Sequence, residues 1–522
     1  MSEPSGILKH LFARFVGQVG TAARLHVSLL AAVALVALGG CGGGSTVRDD
    51  AVGQSAYETG GQFPVPEEIR PNVDFWRHVY GDWSRGQVAF HDNEHLGVVY
   101  EVGELPGAVH EGYTNEQKGW VRSREALYRD RLRVLEQKVR TRAPLTSSDK
   151  QLLAKIEQGA GRGAIYGAAD RVRSQRGVRE RFKRGLEISG RYDPSFRKIM
   201  RAKGVPEDLA YLPHVESSFQ THARSSVGAA GIWQFMPATG RDYGMRVDRT
   251  IDERLDPIIC ADGAARYLSA AHDKLGSWPL AITSYNHGKG GVAKAKAQYG
   301  DDIGRIVTHY KGRAFGFASR NFYASFVAAR EVARQPERYF PEGTRYEEPW
   351  SAERLVLRSA MPAQHVARHY GVSTASLANA NLHWRERAAD GRSHLPAGTT
   401  VWLPSGSMRR VAAHPPPYRA PIKAPSSAPL VASNQASSKV RPASQAAKTT
   451  SRTPTKSPKP AKAQTAAAVA KSPPKYHVVQ SNETLYRVAL NNGISVDQLR
   501  KLNSLGPKDT TIRAGQRLKV GS

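Results

Sequence analysis

The sequence predicts a mainly helical fold that ends in a small βααβ module. Three observations carry this. Residues 114–160 and 170–340 repeat apolar side chains at helical spacing, broken by Gly- and Pro-marked turns and without a run of alternating strand residues. Ser405–Lys475 holds 13 Lys and Arg but no Asp or Glu, with Pro, Ala, Ser and Thr filling the rest, so it cannot bury a core. Residues 476–520 then regain a compact pattern of strand, two short helices and strand.

At 522 residues the chain exceeds one ordinary core. The net charge of +29 first suggests a nucleic-acid binder. However, the 13 cations of 405–475 sit on a self-repelling linker without interleaved aromatic residues. An anionic envelope polymer or lipid surface fits better than nucleic acid. The two cysteines, Cys41 and Cys260, exclude a disulfide framework and a thiolate zinc site. Cys260, in "LDPIICADGAARYL", reads as a small buried hydrophobe.

Residues 1–41 read as an address. Lys9, Arg14 and Arg24 precede "LHVSLLAAVALVALGGC", too short an apolar run for a comfortable membrane span. Its end, Leu38-Gly39-Gly40-Cys41, resembles the lipobox of bacterial lipoproteins. That resemblance implies Cys41 as the lipid-bearing residue, Gly42 in place of Asp favouring the outer membrane; an uncleaved anchor helix is the alternative. Residues 42–64 read as a flexible tether.

Residues 65–185 read as a helical N-terminal region. Its aromatic start, "DFWRHVYGDWSRGQVAFHDNEHLGVVYEV", suits short helices or strands. In "NEQKGWVRSREALYRDRLRVLEQKV", Trp120, Ala126, Leu127, Leu132, Val134 and Leu135 form the expected apolar stripe. Ser147 or Ser148 is the expected cap of the next helix and Gly159 its stop.

Within 186–340, "PEDLAYLPHVESSF" reads as a helix begun at Pro206, with Leu209, Leu212, Val215 and Phe219 on its core face. Glu216 falls near its end among apolar neighbours, where desolvation raises a carboxyl pKa and keeps an acid protonated near neutral pH. The following "GAAGIWQFMPATG" offers glycines for close backbone approach and Gln234 as combined donor and acceptor. Trp233 and Phe235 suit either sugar stacking or the core. A His222–His287 metal pair has no zinc-like spacing. Asp252 and Asp256 are the nearest candidates for a second carboxylate, with Asp256 also a helix cap before Pro257.

The ordered set Glu216, Ser217, Phe219, Ala223, Ser225, Gly228, Ala229, Gly231, Gln234, Pro237 and Thr239 resembles the signature of the lytic transglycosylase domain, glycoside hydrolase family 23. "IDERLDP" (251–257), "SYNHGKGGV" (284–292) and "NFYASFVAA" (321–329) resemble its later blocks, so the likeness spans about residues 190–335. The resemblance implies a lysozyme-like α+β catalytic domain and peptidoglycan glycan strands as substrate. It implies that Glu216 protonates the glycosidic oxygen between N-acetylmuramic acid and N-acetylglucosamine. Glu216 then takes the proton of the muramoyl C6 hydroxyl as that oxygen closes a 1,6-anhydro ring. Because no water is activated, one carboxyl suffices. Ser225 matches the serine that bonds the glutamate, Gln234 a site-lining amide, Tyr285 the orienting tyrosine and Asn286 its structural partner. Ser284 and His287 replace two alanines of the family's AYNAG block. A hydrolytic muramidase on the same fold and a non-catalytic wall-binding protein are the alternatives.

Residues 476–520 resemble a LysM domain, which implies glycan binding beside Ser481, Asn482, Glu483 and Thr484, the counterpart of the usual Gly-Asp-Thr-Leu turn. Leu485, Leu499 and Leu502 read as core. Residues 350–404 follow the same rhythm, "VSTASLANAN" echoing "ISVDQLRKLN". This degenerate LysM copy either binds glycan weakly or packs on the catalytic domain, with packing favoured. No metal or cofactor is called for, and a monomer is expected.

Overall fold

The computed structural model describes residues 61–419 and, in the C-terminal module, residues 475–479, 485, 488–489, 492, 494, 496–506, 512–513 and 515–521. The leader with Cys41, most of the tether and most of the basic linker lie outside the described residues, as do Ser481, Asn482, Glu483 and Thr484.

The described residues are mainly helical, as the periodicity predicts. The spine is α10 (Phe317–Arg334), whose buried residues lie all around its circumference, as a central helix requires. Against it pack α6 (Leu212–Glu216) and α8 (Trp278–His287); α7 (Pro257–Leu275) packs on α8, α5 (Asp193–Ala202) and α9 (Lys289–Tyr299), and α4 (Arg179–Ser189) on α6.

The boundaries drawn at 64/65 and 185/186 differ from the packing. α1 (Arg70–Arg77) lies directly on α10, and one continuous core runs from Phe63 to Phe340. Phe63 meets Phe326 edge-on at 5.3 Å. Asn72 Nδ2 donates to Asn321 Oδ1 at 2.8 Å, and the Tyr323 hydroxyl donates to the Pro64 carbonyl at 2.8 Å. The apolar faces of α1 and α10 complete each other, so the ordered core already includes Phe63.

The region expected to be helical also contains a three-stranded antiparallel sheet in the order β2-β1-β3: β1 (Gln87–Asp92), β2 (Val99–Glu104) and β3 (Val172–Arg176). β1 is covered on both faces. Val88 and Phe90 join a second core with α2 (Asn115–Thr141) and α3 (Ser147–Ala160), while Ala89 joins the main core. Two-sided burial removes the polar half of the alternation by which a strand is recognised. On α2 the buried stripe is Val121, Tyr128, Leu132 and Leu135; Leu127 is 40% and Val134 53% exposed, a turn-fraction off that face. The cap of α3 is Thr146 rather than Ser147 or Ser148, paired with Asp149 in a capping box, and the helix runs to Ala160 before Gly161 ends it.

Residues 353–403 form β4 (Glu353–Val356), α11 (Ala363–His369), α12 (Thr374–Ala380) and β5 (Thr400–Leu403), with the strands antiparallel. Packing continues past 404, where the linker was expected to begin. Glu353 accepts from the backbone of Gly406 and Met408, and the Tyr370 hydroxyl donates to Ala413. The C-terminal module, described by itself, pairs β6 (Lys475–Val478) with β7 (Arg517–Gly521) around α13 (Val496–Leu502). Leu485 and Leu499 lie in its core, whereas Leu502 is half-buried.

The two modules share one hydrogen-bond device. Asn381 Nδ2 donates to the Leu377 and Trp402 carbonyls, and its Oδ1 accepts from Trp402 N at 2.7 Å. Asn503 makes the same three bonds with Leu499 and Lys519. In each, an asparagine at a helix end satisfies the final strand's backbone, which would otherwise be buried unpaired.

A chain truncated at the anticipated boundary, 186–419, exposes the α10 face that covers Phe63, Val73 and Trp76. It is expected to be insoluble or to melt without a cooperative transition in circular dichroism, whereas a chain beginning at 61 melts cooperatively.

Candidate active site

Glu216 is the last residue of α6, a helix of little more than one turn. Pro213 stands in its first turn, and Ser218 and Phe219, at φ of 52° and 57°, end it in the left-handed region. Leu209, Leu212, Val215 and Phe219 are all buried, as the spacing predicts, although residues 207–211 form a 3₁₀ segment rather than α-helix.

The Glu216 side chain lies inside the fold at 1% exposure, and neither carboxyl oxygen has a hydrogen-bond partner. Burial alone pushes its pKa well above the ordinary value of 4.5. His214 offers no compensating charge, because burial lowers its pKa to about 3 and keeps it neutral. Burial therefore favours the protonated form of Glu216.

The loop after Glu216 is held from several sides. Ser217 Oγ donates to the Ile232 carbonyl at 2.8 Å. Gln234, itself left-handed at φ 50°, donates through Nε2 to Gly231 O at 2.7 Å and Ala223 O at 3.2 Å. Ser218, Phe219 and Gln234 are three of the five non-glycine residues with positive φ among those described, so backbone strain concentrates beside the carboxyl. The Tyr285 hydroxyl donates to Trp233 O at 3.0 Å. Asn286 Oδ1 accepts from Ser319 Oγ at 2.8 Å, while its Nδ2 is buried without a partner.

Several expected roles change. Ser225 does not bond Glu216; its hydroxyl accepts from Ala229 N at 2.9 Å and closes the loop turn. Gln234's amide nitrogen is committed to backbone carbonyls. Trp233 and Phe235 are core residues, packed against Phe196 and Tyr285 respectively. Ser284 turns its hydroxyl back to Ala281 O at 2.7 Å, and His287 packs edge-on against Phe315.

The two other acids of the region are committed elsewhere. Asp252 binds Arg254 through both oxygens, at 2.8 and 3.0 Å. Asp256 caps α7 by accepting from Ile258 N and Ile259 N, both at 2.9 Å, as expected. Cys260, one turn on, is buried, and desolvation pushes its thiol pKa up.

Arg254 is the residue that the sequence reading passed over. Almost wholly buried, it donates through one terminal nitrogen to Gly228 O at 2.7 Å and Phe235 O at 2.9 Å, pinning both ends of the glycine loop. A second omission is Tyr80, on the π-turn His78–Asp82. It is buried, stacks on Phe182 at 5.0 Å, and has its pKa raised by burial and by the Glu216 charge. Both residues sit outside the stretch that holds Glu216, and only the tertiary fold brings them to it.

Known proteins resemble the chain over this region. Residues 194–307 match the model of the transglycosylase SLT domain. The chain carries a transglycosylase SLT domain. Residues 477–521 match the LysM domain. Membrane-bound lytic murein transglycosylase D of Escherichia coli K12 is 29% identical over 225 residues, covering 41% of this chain and 48% of that protein. The chain thus spans about half the length of that relative. Peptidoglycan transglycosylase gp16 of phage T7 is 37% identical over 102 residues, 19% of this chain and 8% of gp16. The 70 kDa soluble lytic transglycosylase Slt70 of E. coli superposes with a TM-score of 0.26 at 16% identity, covering 44% of this chain and 46% of that one.

Within the SLT domain, Gly231 has φ 80°, and a Cβ there would lie 1.8 Å from the Arg254 carbonyl. Gly231→Ala must displace the loop or the 251–257 block. Loss of activity by about 100-fold or more is expected, together with a lower melting temperature. Wild-type turnover by that variant contradicts the loop geometry.

Proposed function

We propose that the chain is a lytic transglycosylase that cleaves the β-1,4 bond between N-acetylmuramic acid and N-acetylglucosamine in peptidoglycan and leaves 1,6-anhydromuramoyl ends. The observation that carries this is the buried carboxyl of Glu216, unpaired and with its protonated form favoured by burial, in an SLT domain whose neighbouring Asp252 and Asp256 are both spent on structure. Similarity to the membrane-bound murein transglycosylase supports the same substrate.

In this reading Glu216 gives its proton to the glycosidic oxygen as the C1–O bond breaks. Its carboxylate then takes the proton of the muramoyl C6 hydroxyl as that oxygen bonds to C1. The proton passes through one residue twice, the nucleophile belongs to the substrate, and no second carboxyl has to hold a water. Desolvation serves the first step by keeping the acid charged with its proton. It serves the second by making the anion a stronger base than an exposed glutamate. Asn286 Nδ2, buried without a partner, is a donor available to a sugar substituent.

The LysM domain would hold glycan beside Ser481–Thr484, and Cys41 would carry lipid that anchors the chain in the outer membrane, placing the enzyme in the cell envelope. Tethered binding of this kind raises the local concentration of substrate without new contacts. No helix among the described residues is long and apolar enough to cross a membrane.

Glu216→Gln is expected to lower peptidoglycan solubilisation by about 1,000-fold or more, since it removes both proton transfers. Mass spectrometry of wild-type products should show anhydromuramoyl ends. Reducing ends alone would identify a hydrolase, and equal clearing by wild type and variant would remove Glu216 from the chemistry.

The buried acid also sets a pH dependence of stability. Its pKa is raised in the fold, so above the ordinary 4.5 the unfolded chain loses this proton first. Glu216 therefore costs stability progressively as pH climbs towards the raised value. Glu216→Gln should match wild type near pH 4 and melt increasingly above it through neutral pH. A constant difference across that range would contradict the shift.

A further inference from the structure

The degenerate module 353–403 is built into the unit that holds the active site. Its residues 383–385 run antiparallel to the 250–252 segment. Asp252 N donates to His383 O at 2.8 Å, Arg385 N donates to Thr250 O at 2.9 Å, and Ile251 bridges Trp384. The Arg385 side chain donates to Asp248 O at 2.6 Å and to Asp252 Oδ2 at 3.2 Å. One strand away, Trp402 Nε1 donates to Asp256, and His383 Nδ1 lies 3.3 Å from the same carboxylate. Lys519 occupies the position of Trp402 in the C-terminal module, where it is paired by the same asparagine device. The module's last strand has thus acquired an indole that reaches the cap of α7.

From Asp252 the contacts continue to the loop after Glu216. Asp252 holds Arg254, which holds Gly228 O and Phe235 O. Arg224, on the same loop, lies 3.6 Å from Asp252. Within the loop, Trp233 O receives the Tyr285 hydroxyl. Arg254 and Asp252 are joined by buried, charge-assisted hydrogen bonds, while Arg385 and Arg224 reach Asp252 from partly exposed positions; short charge-assisted links of this kind transmit a displacement rather than absorb it.

We infer that the 353–403 module positions the active site: Arg385, acting through Asp252 and Arg254, sets the 223–235 loop beside Glu216. Arg385 is a positioning residue, not a catalytic one. The consequence for rate rests on the transglycosylase reading; the consequence for loop order does not.

The test uses the full-length chain. Arg385→Met keeps length and removes charge, and Arg385→Lys restores charge with a single contact. By hydrogen exchange, amides of Ala230 and Gly231 should exchange about tenfold faster in Arg385→Met than in wild type. Amides of α5 should keep wild-type protection. On soluble glycan strands kcat should fall about tenfold with KM within about twofold, and Arg385→Lys should recover most of both losses. Asp252→Asn combined with Arg385→Met should lose no more kcat than Asp252→Asn alone, as expected of two links in one chain.

Unchanged loop exchange in Arg385→Met overturns the proposal, as does faster exchange with full kcat, or protection lost equally throughout the chain. Additive losses in the double variant overturn the route through Asp252. If wild type forms no anhydro ends, the transglycosylase reading fails, while the exchange comparison still decides whether the module holds the loop.

Discussion

One unpaired carboxyl, removed from water, sets the terms for the rest of the structure. Glu216 has no cation beside it and no donor on either oxygen, so its neutral form is the one that the fold tolerates. An apolar wall around it is therefore a requirement. Leu212, Val215 and Phe219 from its own segment, Trp233 and Phe235 from the loop and the aromatic residues of α1 and α4 all belong to one buried core. The polar groups that do approach are first satisfied elsewhere. Tyr285 bonds a loop carbonyl, Gln234 bonds two, and Ser217 bonds a fourth. A carboxyl offered these donors directly would ionise more easily and lose its acid character.

The same requirement explains why the loop is held by backbone carbonyls rather than by side chains that reach the acid. Arg254 binds two of its carbonyls, and its charge is balanced by Asp252 instead of by Glu216. Had the guanidinium faced Glu216, the glutamate would be an ion pair. Positioning and acidity are separated: the arginine fixes where the loop is, and apolar burial fixes how readily the proton stays.

What was legible in the sequence follows from the range of the interactions. Helix existence, the core face 209–212–215–219, the Asp256 cap and the βααβ rhythm depend on neighbours a few residues apart and were readable. Glu216, Tyr285 and Asn286 were named from motif blocks. The packing of Phe63 and Trp76 against α10 was not readable, because its two halves lie some 250 residues apart and neither half announces its partner. β1 and β2 lie in the stretch read as short helices or strands, and burial of β1 on both faces erases the alternation that would have decided between the two. Ser225 was named as a site residue from the family motif and Gln234 from the motif and its amide chemistry. Their bonding shows a different use, since a hydroxyl or amide beside a tight loop serves the backbone of that loop as readily as a ligand.

The two βααβ modules show how one device can be kept while its surface changes meaning. Asn381 and Asn503 make the same three hydrogen bonds, because a buried strand end must be satisfied wherever the module sits. What differs is the side chain on the strand those asparagines hold: an indole at 402, a lysine at 519. The indole can be buried and still spend its one N–H on Asp256. A lysine there would bring an ammonium against the cap of α7 and into competition with Arg254 and Arg385 for the neighbouring acids. Glycan recognition favours an open groove, whereas docking on the 251–257 block favours an amphipathic aromatic that becomes dry. On that ground the aromatic at 402 belongs to a module that faces protein.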